Sequence, residues 1–195
     1  MTTHPVLGVI FDLDGTLVHS SLDFRALDSA VNCPPHTDLL AHVSAQPEPL
    51  RSEFLQLIED HEMQDAEEAD WIKGAEAFVK RVQAQGLPMA IVTRNFSKAA
   101  QLKISNNQIP IELVITREDA PAKPDPTALL EIAEQWQLEP QHLIYVGDYL
   151  YDVQAAANAG MRSCLYVEGS LPHYSEQADI VFSCFEELHT QLFTD

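Results

Sequence analysis

The stretch Val6-Leu7-Gly8-Val9-Ile10-Phe11-Asp12-Leu13-Asp14-Gly15-Thr16-Leu17-Val18 decides the fold. Its apolar first part, residues 6–11, predicts a strand that is buried on both faces, as the strands of parallel sheets are. Asp12 and Asp14 then lie at the carboxyl end of that strand, where open α/β sheets bind their ligands. Gly15 lets the chain turn away sharply. Turns and calcium loops can contain the same spacing of aspartates, so the interpretation depends on the rest of the chain.

Three further polar segments follow in the sequence. They are Ile91-Val92-Thr93-Arg94-Asn95, Ala122-Lys123-Pro124-Asp125-Pro126 and Gly147-Asp148-Tyr149-Leu150-Tyr151-Asp152. A threonine that ends a strand, or a lysine before a proline, is uninformative alone. All four segments in this order predict one phosphoryl-transfer site.

Strands and helices alternate through most of the chain, which predicts a doubly wound α/β sheet. The second strand follows a helix whose Ala75, Phe78, Val79 and Val82 keep helical spacing, and the alternation continues from there to the carboxyl terminus. The predicted strands cover residues 6–11, 89–92, 113–116, 143–146, 163–167 and 180–182.

Residues 19–74 interrupt this alternation, because they contain no strand-like run. We interpret them as a small helical domain inserted into an α/β domain that comprises residues 1–18 and 75–195. The insert is rich in acidic residues, and its two arginines are Arg25 and Arg51. One predicted helical face consists of Leu50, Phe54, Leu57, Ile58 and His61.

The amino-acid composition indicates which binding partners and which cellular compartment to expect. The net charge of −19 argues against nucleic acid and anionic membranes as partners, because both attract positively charged surfaces. Cys33, Cys164 and Cys184 are too widely spaced for a zinc site or a disulfide framework, so we expect a reducing cytoplasm. The N-terminus lacks the features of an export signal, and we expect the protein to remain soluble in the cytoplasm.

The polar segments together suit an aspartyl-phosphate mechanism. Asp12 is the candidate nucleophile, and its attack on a phosphate dianion requires cations nearby. Mg²⁺ prefers hard oxygen ligands, which Asp12, Asp148 and the backbone carbonyl of Asp14 can supply. Lys123 would add a positive charge beside the nucleophile or the phosphate.

The remaining roles follow from position along the predicted strands and helices. The hydroxyl of Thr93 and the amides of Arg94 and Asn95 are placed to hold phosphate oxygens. Asp14 suits a general acid/base that protonates the leaving oxygen and later deprotonates water. Asp152 lies one helical turn after Asp148 and could orient Lys123 or a metal-bound water; alternatively, it is only a carboxylate at a helix N-terminus.

These four segments resemble those of the haloacid-dehalogenase-like superfamily, on the branch that includes phosphoglycolate phosphatases and β-phosphoglucomutases. The resemblance covers nearly the whole chain. It implies a Mg²⁺-dependent Rossmann-like core with strand order 5-4-1-2-3 and a short helical cap inserted after the first strand, which matches residues 19–74.

The resemblance also implies roles for individual residues. It assigns Asp12 as nucleophile, Asp14 as acid/base, Thr93 and Lys123 as phosphate binders, and Asp148 with Asp152 at the metal. A carboxylate at position 14 resembles the phosphatases and phosphomutases of the superfamily rather than its dehalogenases. His19, Tyr149 and the short cap depart from the usual pattern of the branch.

The sequence therefore predicts a cytoplasmic, Mg²⁺-dependent phosphatase that hydrolyses a small organic phosphate monoester, as a monomer or homodimer. Phosphoglycolate is the substrate that the family suggests. A sugar phosphomutase and a catalytically idle regulatory or scaffold protein are the alternatives. The sequence leaves open whether His19, Arg25 or Arg51 contacts the substrate.

Overall fold

A parallel sheet of six strands forms the centre of the computed structural model, which describes residues 4–193. Every paired neighbour in the sheet is parallel, as the alternating sequence pattern predicts. The strands are β1 (Gly8–Phe11), β2 (Met89–Val92), β3 (Leu113–Ile115), β4 (Leu143–Gly147), β5 (Arg162–Tyr166) and β6 (Ile180–Phe182).

The strand order is β3-β2-β1-β4-β5-β6. Five strands thus have the expected 5-4-1-2-3 arrangement, and β6 extends the sheet beyond β5. Strand β1 lies in the middle, where Phe11 is opposite Ile91 of β2 and Val146 of β4. The residues that follow β1, β2 and β4 therefore meet at one edge of the sheet. Strand β1 begins at Gly8, two residues later than predicted.

Within residues 4–193, eight α-helices and two short 3₁₀ helices connect or cover the strands. Among residues 4–193, no helix combines the length and the apolar composition that crossing a membrane requires. The α-helices are α1 (Phe24–Ala30), α2 (Leu39–Ser44), α3 (Leu50–Glu68), α4 (Ala75–Ala84), α5 (Ser97–Asn106), α6 (Thr127–Trp136), α7 (Leu150–Ala159) and α8 (Phe185–Phe193). The 3₁₀ helices span Pro140–His142 and Ser175–Gln177.

Alternate side chains of β1 enter two different cores, as the two-residue repeat of a strand requires. Val9 and Phe11 pack in a core that includes residues of α4, α5 and α8. Ile10 points to the opposite face and packs with residues of α6 and α7. The sheet is thus covered by helices on both faces, which explains the uninterrupted apolar run in β1.

Helices α1, α2 and α3 lie within residues 19–74, which we call the insert. They enclose a small apolar cluster of Leu27, Val31, Val43 and Ile58. The second half of α3 differs from the predicted apolar face, because His61 is exposed whereas Glu62 and Asp65 are buried. The division of the chain into an α/β domain and a cap stays a prediction.

Phe78 of α4 offers a test of the core on the α4 side of the sheet. Its ring is 2% exposed and packs edge-to-face against Phe11, with the ring centroids 6.0 Å apart. We expect Phe78→Ala to lower the free energy of unfolding by about 3–5 kcal/mol, because the substitution leaves a cavity. Urea denaturation measures this change.

Phe24→Ala is the matched control, since the Phe24 side chain is 60% exposed. It should change the free energy of unfolding by no more than about 0.5 kcal/mol. Equal losses in the two variants would contradict the described packing of Phe78.

Candidate active site

Acidic side chains from two neighbouring strands converge at the carboxyl edge of the sheet. Asp12 follows β1, Asp148 follows β4, and Asp152 lies in the first turn of α7. One carboxylate oxygen from each lies within 4.8 Å of those from the other two. Lys123, from the loop before α6, reaches the same place. The structure thus brings together four residues that the sequence predicted to share a site.

Asp12 has one occupied and one available carboxylate oxygen. Its Oδ1 accepts a hydrogen bond from the backbone N–H of Leu13 at 2.7 Å and lies 2.8 Å from the Lys123 Nζ. No donor among residues 4–193 binds its Oδ2. Burial raises the pKa of Asp12 to about 7, and Lys123 only partly opposes this effect. The nucleophile predicted from the sequence is thus fixed through one oxygen, and the other is available to react.

Asp148 is a partly buried carboxylate that lies close to the carboxylates of Asp12 and Asp152. Thr16 donates a hydrogen bond from its hydroxyl to Asp148 Oδ1 at 3.2 Å. Burial, followed by the nearby charges of Asp12 and Asp152, raises the pKa of Asp148 to about 8. Gly15 has a φ of +71°, and a Cβ at this position would lie 2.4 Å from Asp148 Oδ2. Glycine is therefore required both for the turn and for the space that Asp148 occupies.

Asp152 holds Lys123 and also caps α7. Its Oδ1 accepts hydrogen bonds from Lys123 Nζ at 2.6 Å and from the Tyr145 hydroxyl at 3.1 Å. Its Oδ2 accepts from the backbone N–H groups of Asp148 at 3.2 Å and Tyr149 at 3.0 Å. Because both oxygens are already occupied, this geometry favours orientation of Lys123 over direct metal ligation by Asp152.

The pKa of Lys123 reflects the same contacts. Burial acts to lower it, but Asp12 and Asp152 together raise it above its usual value. Lys123 therefore carries a charge in the site at neutral pH. A Cβ at Gly147 would lie 2.3 Å from Asp152 Cγ, so the glycine that ends β4 makes room for the carboxylate that holds this lysine.

The residues that follow β2 split into two groups. Thr93 Oγ1 accepts hydrogen bonds from the Asn95 backbone N–H at 3.1 Å and from Asn95 Nδ2 at 3.0 Å. Asn95 Nδ2 also donates to Asp14 Oδ2. The Arg94 guanidinium instead lies 2.6 Å from Asp38 of the insert and 4.9 Å from the centre of the Tyr151 ring. Thr93 and Asn95 thus lie beside Asp14, whereas the Arg94 side chain contacts the insert.

Lys103 of α5 is a site residue that the sequence analysis missed. Its side chain is fully buried, and its Nζ lies 2.5 Å from Asp14 Oδ1 and 2.7 Å from Asp65 Oδ2. Burial acts to lower the pKa of Lys103, but Asp14 and Asp65 raise it above its usual value. Its helical spacing from Ala99 and Ala100 could have indicated that Lys103 lies on the buried face of α5.

Buried contacts of Glu62 and Asp65 explain why the second half of α3 is not apolar. Glu62 pairs with Arg117 at 2.6 Å and accepts a hydrogen bond from the backbone N–H of Phe96, just before α5. Asp65 accepts hydrogen bonds from Ser20, Ser21 and Lys103. Buried carboxylates need such partners, and here the partners come from distant parts of the chain.

A cavity of about 480 Å³ extends from these carboxylates to the insert. Asp12, Asp14, Thr93, Lys123 and Asp148 form part of one wall, and residues of α1, α2 and α3 form another. Within residues 4–193, neither Arg25 nor Arg51 lines this cavity, and His19 does not line it either. Arg51 instead pairs with Glu48, 2.7 Å away.

The donor set fits a hard divalent cation. The clustered ligand atoms are carboxylate oxygens, which Mg²⁺ prefers. One ammonium group does not balance the charge of three carboxylates, and the raised pKa values of Asp12 and Asp148 express this imbalance.

Known proteins resemble this chain over most of its length. The family model of haloacid dehalogenase-like hydrolases matches residues 30–166. A phosphoglycolate phosphatase of Cereibacter sphaeroides is 31% identical, and the match covers 95% of this chain and 97% of the relative. An N-acetylmuramic acid 6-phosphate phosphatase of Pseudomonas aeruginosa is 25% identical over 80% of this chain and 79% of its own length.

Among solved structures, a hydrolase from Pseudomonas syringae has the same fold. Its TM-score is 0.77 at 18% identity, with 95% of this chain and 97% of that chain covered. The chain therefore belongs to the haloacid dehalogenase-like hydrolases, on the branch that includes the phosphoglycolate phosphatases.

Proposed function

We propose that this protein is a Mg²⁺-dependent phosphatase that hydrolyses small organic phosphate monoesters through an aspartyl-phosphate on Asp12. The observation that carries the proposal is the available Oδ2 of Asp12 beside Lys123 and Asp148. Asp14, two residues after Asp12 in the chain, adds a further carboxylate to the same cavity. The phosphatases among the relatives support the same reaction class.

In the first step, Asp12 Oδ2 forms a bond to phosphorus, and the bond between phosphorus and the alcohol oxygen breaks. Asp14 gives a proton to that oxygen, so the alcohol leaves neutral. In the second step, water attacks phosphorus and gives a proton to Asp14. Phosphate leaves, and the Asp12 carboxylate is restored.

Positive charge must surround the transferring group, since the phosphoryl oxygens carry the charge in the transition state. Lys123, oriented by Asp152, would supply one charge. Mg²⁺ bound by Asp12, Asp148 and the backbone carbonyl of Asp14 would neutralise further charge on the phosphoryl oxygens.

The hydrogen bonds of Thr93 favour its role as a phosphate binder. Its Oγ1 already accepts two hydrogen bonds from Asn95, so its own proton is left to donate to a phosphate oxygen. The backbone amide of Arg94 would add a second donor. Asn95 takes a different role from the predicted one, because its side chain and amide are used to position Asp14 and Thr93.

Asp14 is the proposed general acid/base, and Lys103 is its proposed positioning residue. Two donors, Asn95 Nδ2 and Lys103 Nζ, each bind a different oxygen of the Asp14 carboxylate. These contacts fix its orientation toward the cavity.

We further propose that the insert acts as the cap over this cavity. We also propose that the protein is cytoplasmic, because Cys33, Cys164 and Cys184 are free thiols.

Asp12→Asn tests the covalent step. We expect the variant to lose more than ~1000-fold in kcat for p-nitrophenyl phosphate, because an amide does not form the acyl phosphate. Phosphate release with Mg²⁺ measures this loss, and circular dichroism verifies the fold. Glu131→Gln, an exposed change on α6, is the control and should keep full activity. Retained turnover by Asp12→Asn would refute the covalent scheme.

The raised pKa values predict how Mg²⁺ stabilises the protein at different pH. Without metal, Asp12 and Asp148 hold their protons more tightly in the folded than in the unfolded chain, so their contribution to stability falls as the pH rises toward 8. Metal binding requires both as carboxylates. The increase in Tm caused by Mg²⁺ should therefore be larger at pH 8 than at pH 6.

Thermal unfolding with Mg²⁺ and with EDTA measures this increase. A metal concentration of ~100 times Kd should stabilise the fold by about 2.7 kcal/mol. Asp148→Asn should abolish the increase in Tm, whereas Glu131→Gln should keep it. An increase that is equal at both pH values would contradict the assignment of these carboxylates to the metal.

Leaving-group dependence tests the acid role of Asp14. Asp14→Asn should slow the hydrolysis of alkyl phosphates far more than that of p-nitrophenyl phosphate, because p-nitrophenolate leaves without a proton. The ratio of the two kcat values measures the effect. Equal losses on both substrates would count against the acid role.

Lys103→Gln should change the same ratio in the same direction, but by a smaller factor, since Asp14 remains present but loses one of its two donors. Lys98→Gln is the matched control, because Lys98 lies on the exposed face of the same helix. A general loss of activity in Lys103→Gln with an unchanged ratio would indicate a purely structural role for Lys103.

A further inference from the structure

We infer that the alcohol part of the substrate carries no negative charge and presents apolar surface to the insert. This inference rests on the proposed phosphatase function and narrows the substrate class of the same site. It follows from the charges that line the cavity, from the pairs that these charges already form, and from the apolar residues on the insert side.

The cavity wall is strongly acidic. Within the described part of the chain, seven carboxylate side chains and two cationic side chains line it. Lys103 and Arg117, which do not line the cavity, neutralise two of these carboxylates, Asp14 and Glu62. Five lining carboxylates then remain against two lining cations and one bound divalent cation, so the excess of negative charge becomes smaller but is not reversed. A substrate with an anionic group in addition to its phosphate would therefore enter an unfavourable electrostatic environment, since like charges at close range oppose binding.

Lys123, the first of the two cations, lies at the phosphate end. Its Nζ is 2.8 Å from Asp12 and 2.6 Å from Asp152, beside the proposed nucleophile. The phosphoryl group must occupy this end if Asp12 is to attack it. Lys123 is therefore not available to an anionic group at the far end of the substrate.

Arg94, the second cation, is already paired with a carboxylate of the insert. Its Nη2 lies 2.6 Å from Asp38 Oδ2, and both side chains are largely buried, with 24% and 29% exposure. A substrate carboxylate would meet a guanidinium whose charge Asp38 already neutralises, and displacing Asp38 would leave a partly buried carboxylate unpaired, which is costly. The pair thus acts as a barrier against anionic alcohol groups.

The insert side of the cavity is apolar apart from its acids. Leu22, Leu40 and Ile58 line it, and Phe24 contributes a ring that is 60% exposed. Asp28 lies among them, and no cationic side chain in residues 4–193 pairs with its carboxylate. An uncharged group with apolar surface gains from burial here, whereas an anion meets Asp28 without a counter-charge.

Phosphoglycolate does not fit this pattern, because its alcohol part carries a carboxylate. This chain thus differs from what its phosphoglycolate phosphatase relatives suggest. The misfit arises on the insert side of the cavity, where Asp38 neutralises Arg94 and where Arg25 and Arg51 do not line the cavity.

Two substrates of nearly equal shape test the inference: 4-carbamoylphenyl phosphate, which is neutral beyond its phosphate, and 4-carboxyphenyl phosphate, which is anionic there. Phosphate release with Mg²⁺ gives kcat/KM for each. We expect the wild-type protein to prefer the neutral substrate by at least about tenfold. The alkyl pair of 2-hydroxyethyl phosphate and 2-phosphoglycolate should show the same preference.

Asp38→Asn shows whether the Arg94–Asp38 pair causes the preference. Asp38 Oδ1 caps α2 by accepting a hydrogen bond from the Ala41 N–H, and asparagine caps helices equally well. The variant therefore keeps the N-cap of α2 and removes the charge that neutralises Arg94. The ratio of kcat/KM for the neutral substrate to that for the anionic substrate should then fall at least ~3-fold. Glu53→Gln removes an exposed carboxylate from α3 and should leave the preference unchanged.

The outcomes separate the inference from the function on which it rests. Release from p-nitrophenyl phosphate together with equal rates on the matched pair, or with faster release from the carboxylate, would overturn the inference alone. No release from p-nitrophenyl phosphate would overturn the phosphatase function and the inference together. A wild-type preference that is lowered in Asp38→Asn but not in Glu53→Gln would support the inference.

Discussion

Three carboxylates and one ammonium group share the carboxyl edge of the sheet, and the rest of the structure accommodates this concentration of charge. The central position of β1 places Asp12 between the ends of β2 and β4. Glycine at positions 15 and 147 leaves space that any larger residue would take from Asp148 and Asp152. The N-terminus of α7 offers two backbone N–H groups to Asp152. Repulsion between the buried carboxylates is thus opposed by one ammonium group and a small number of N–H donors.

The sequence predicted those features that depend on local pattern. The apolar runs that form β1, β2 and β4 are continuous because both faces of the sheet are covered, so periodicity alone located them. Asp12 and Asp148 could be placed for the same reason, since they follow directly after such runs. The start of β1 was misplaced by two residues, because Val6 and Leu7 are apolar but lie before the first paired residue of the strand.

Contacts between residues that are far apart in the chain could not be predicted from local sequence patterns. Glu62 and Asp65 are buried because Arg117 and Lys103 reach them from other parts of the chain. Nothing near Arg94 in the sequence shows that Asp38, 56 residues earlier, neutralises it. A sequence shows which charges a protein has, whereas the fold determines which of them are already paired. The inferred preference for substrates without a second negative charge depends on that second property.

The contact of Lys103 with both Asp14 and Asp65 has a consequence for how related chains can diverge. A chain that lost Asp65 would keep a buried ammonium group with one partner fewer, and a chain that lost Lys103 would leave Asp65 buried without its cation. Substitutions at the two positions are therefore not independent, and their effects on stability should not add. Positions 65 and 103 are expected to change together during evolution, although 38 residues separate them in the chain.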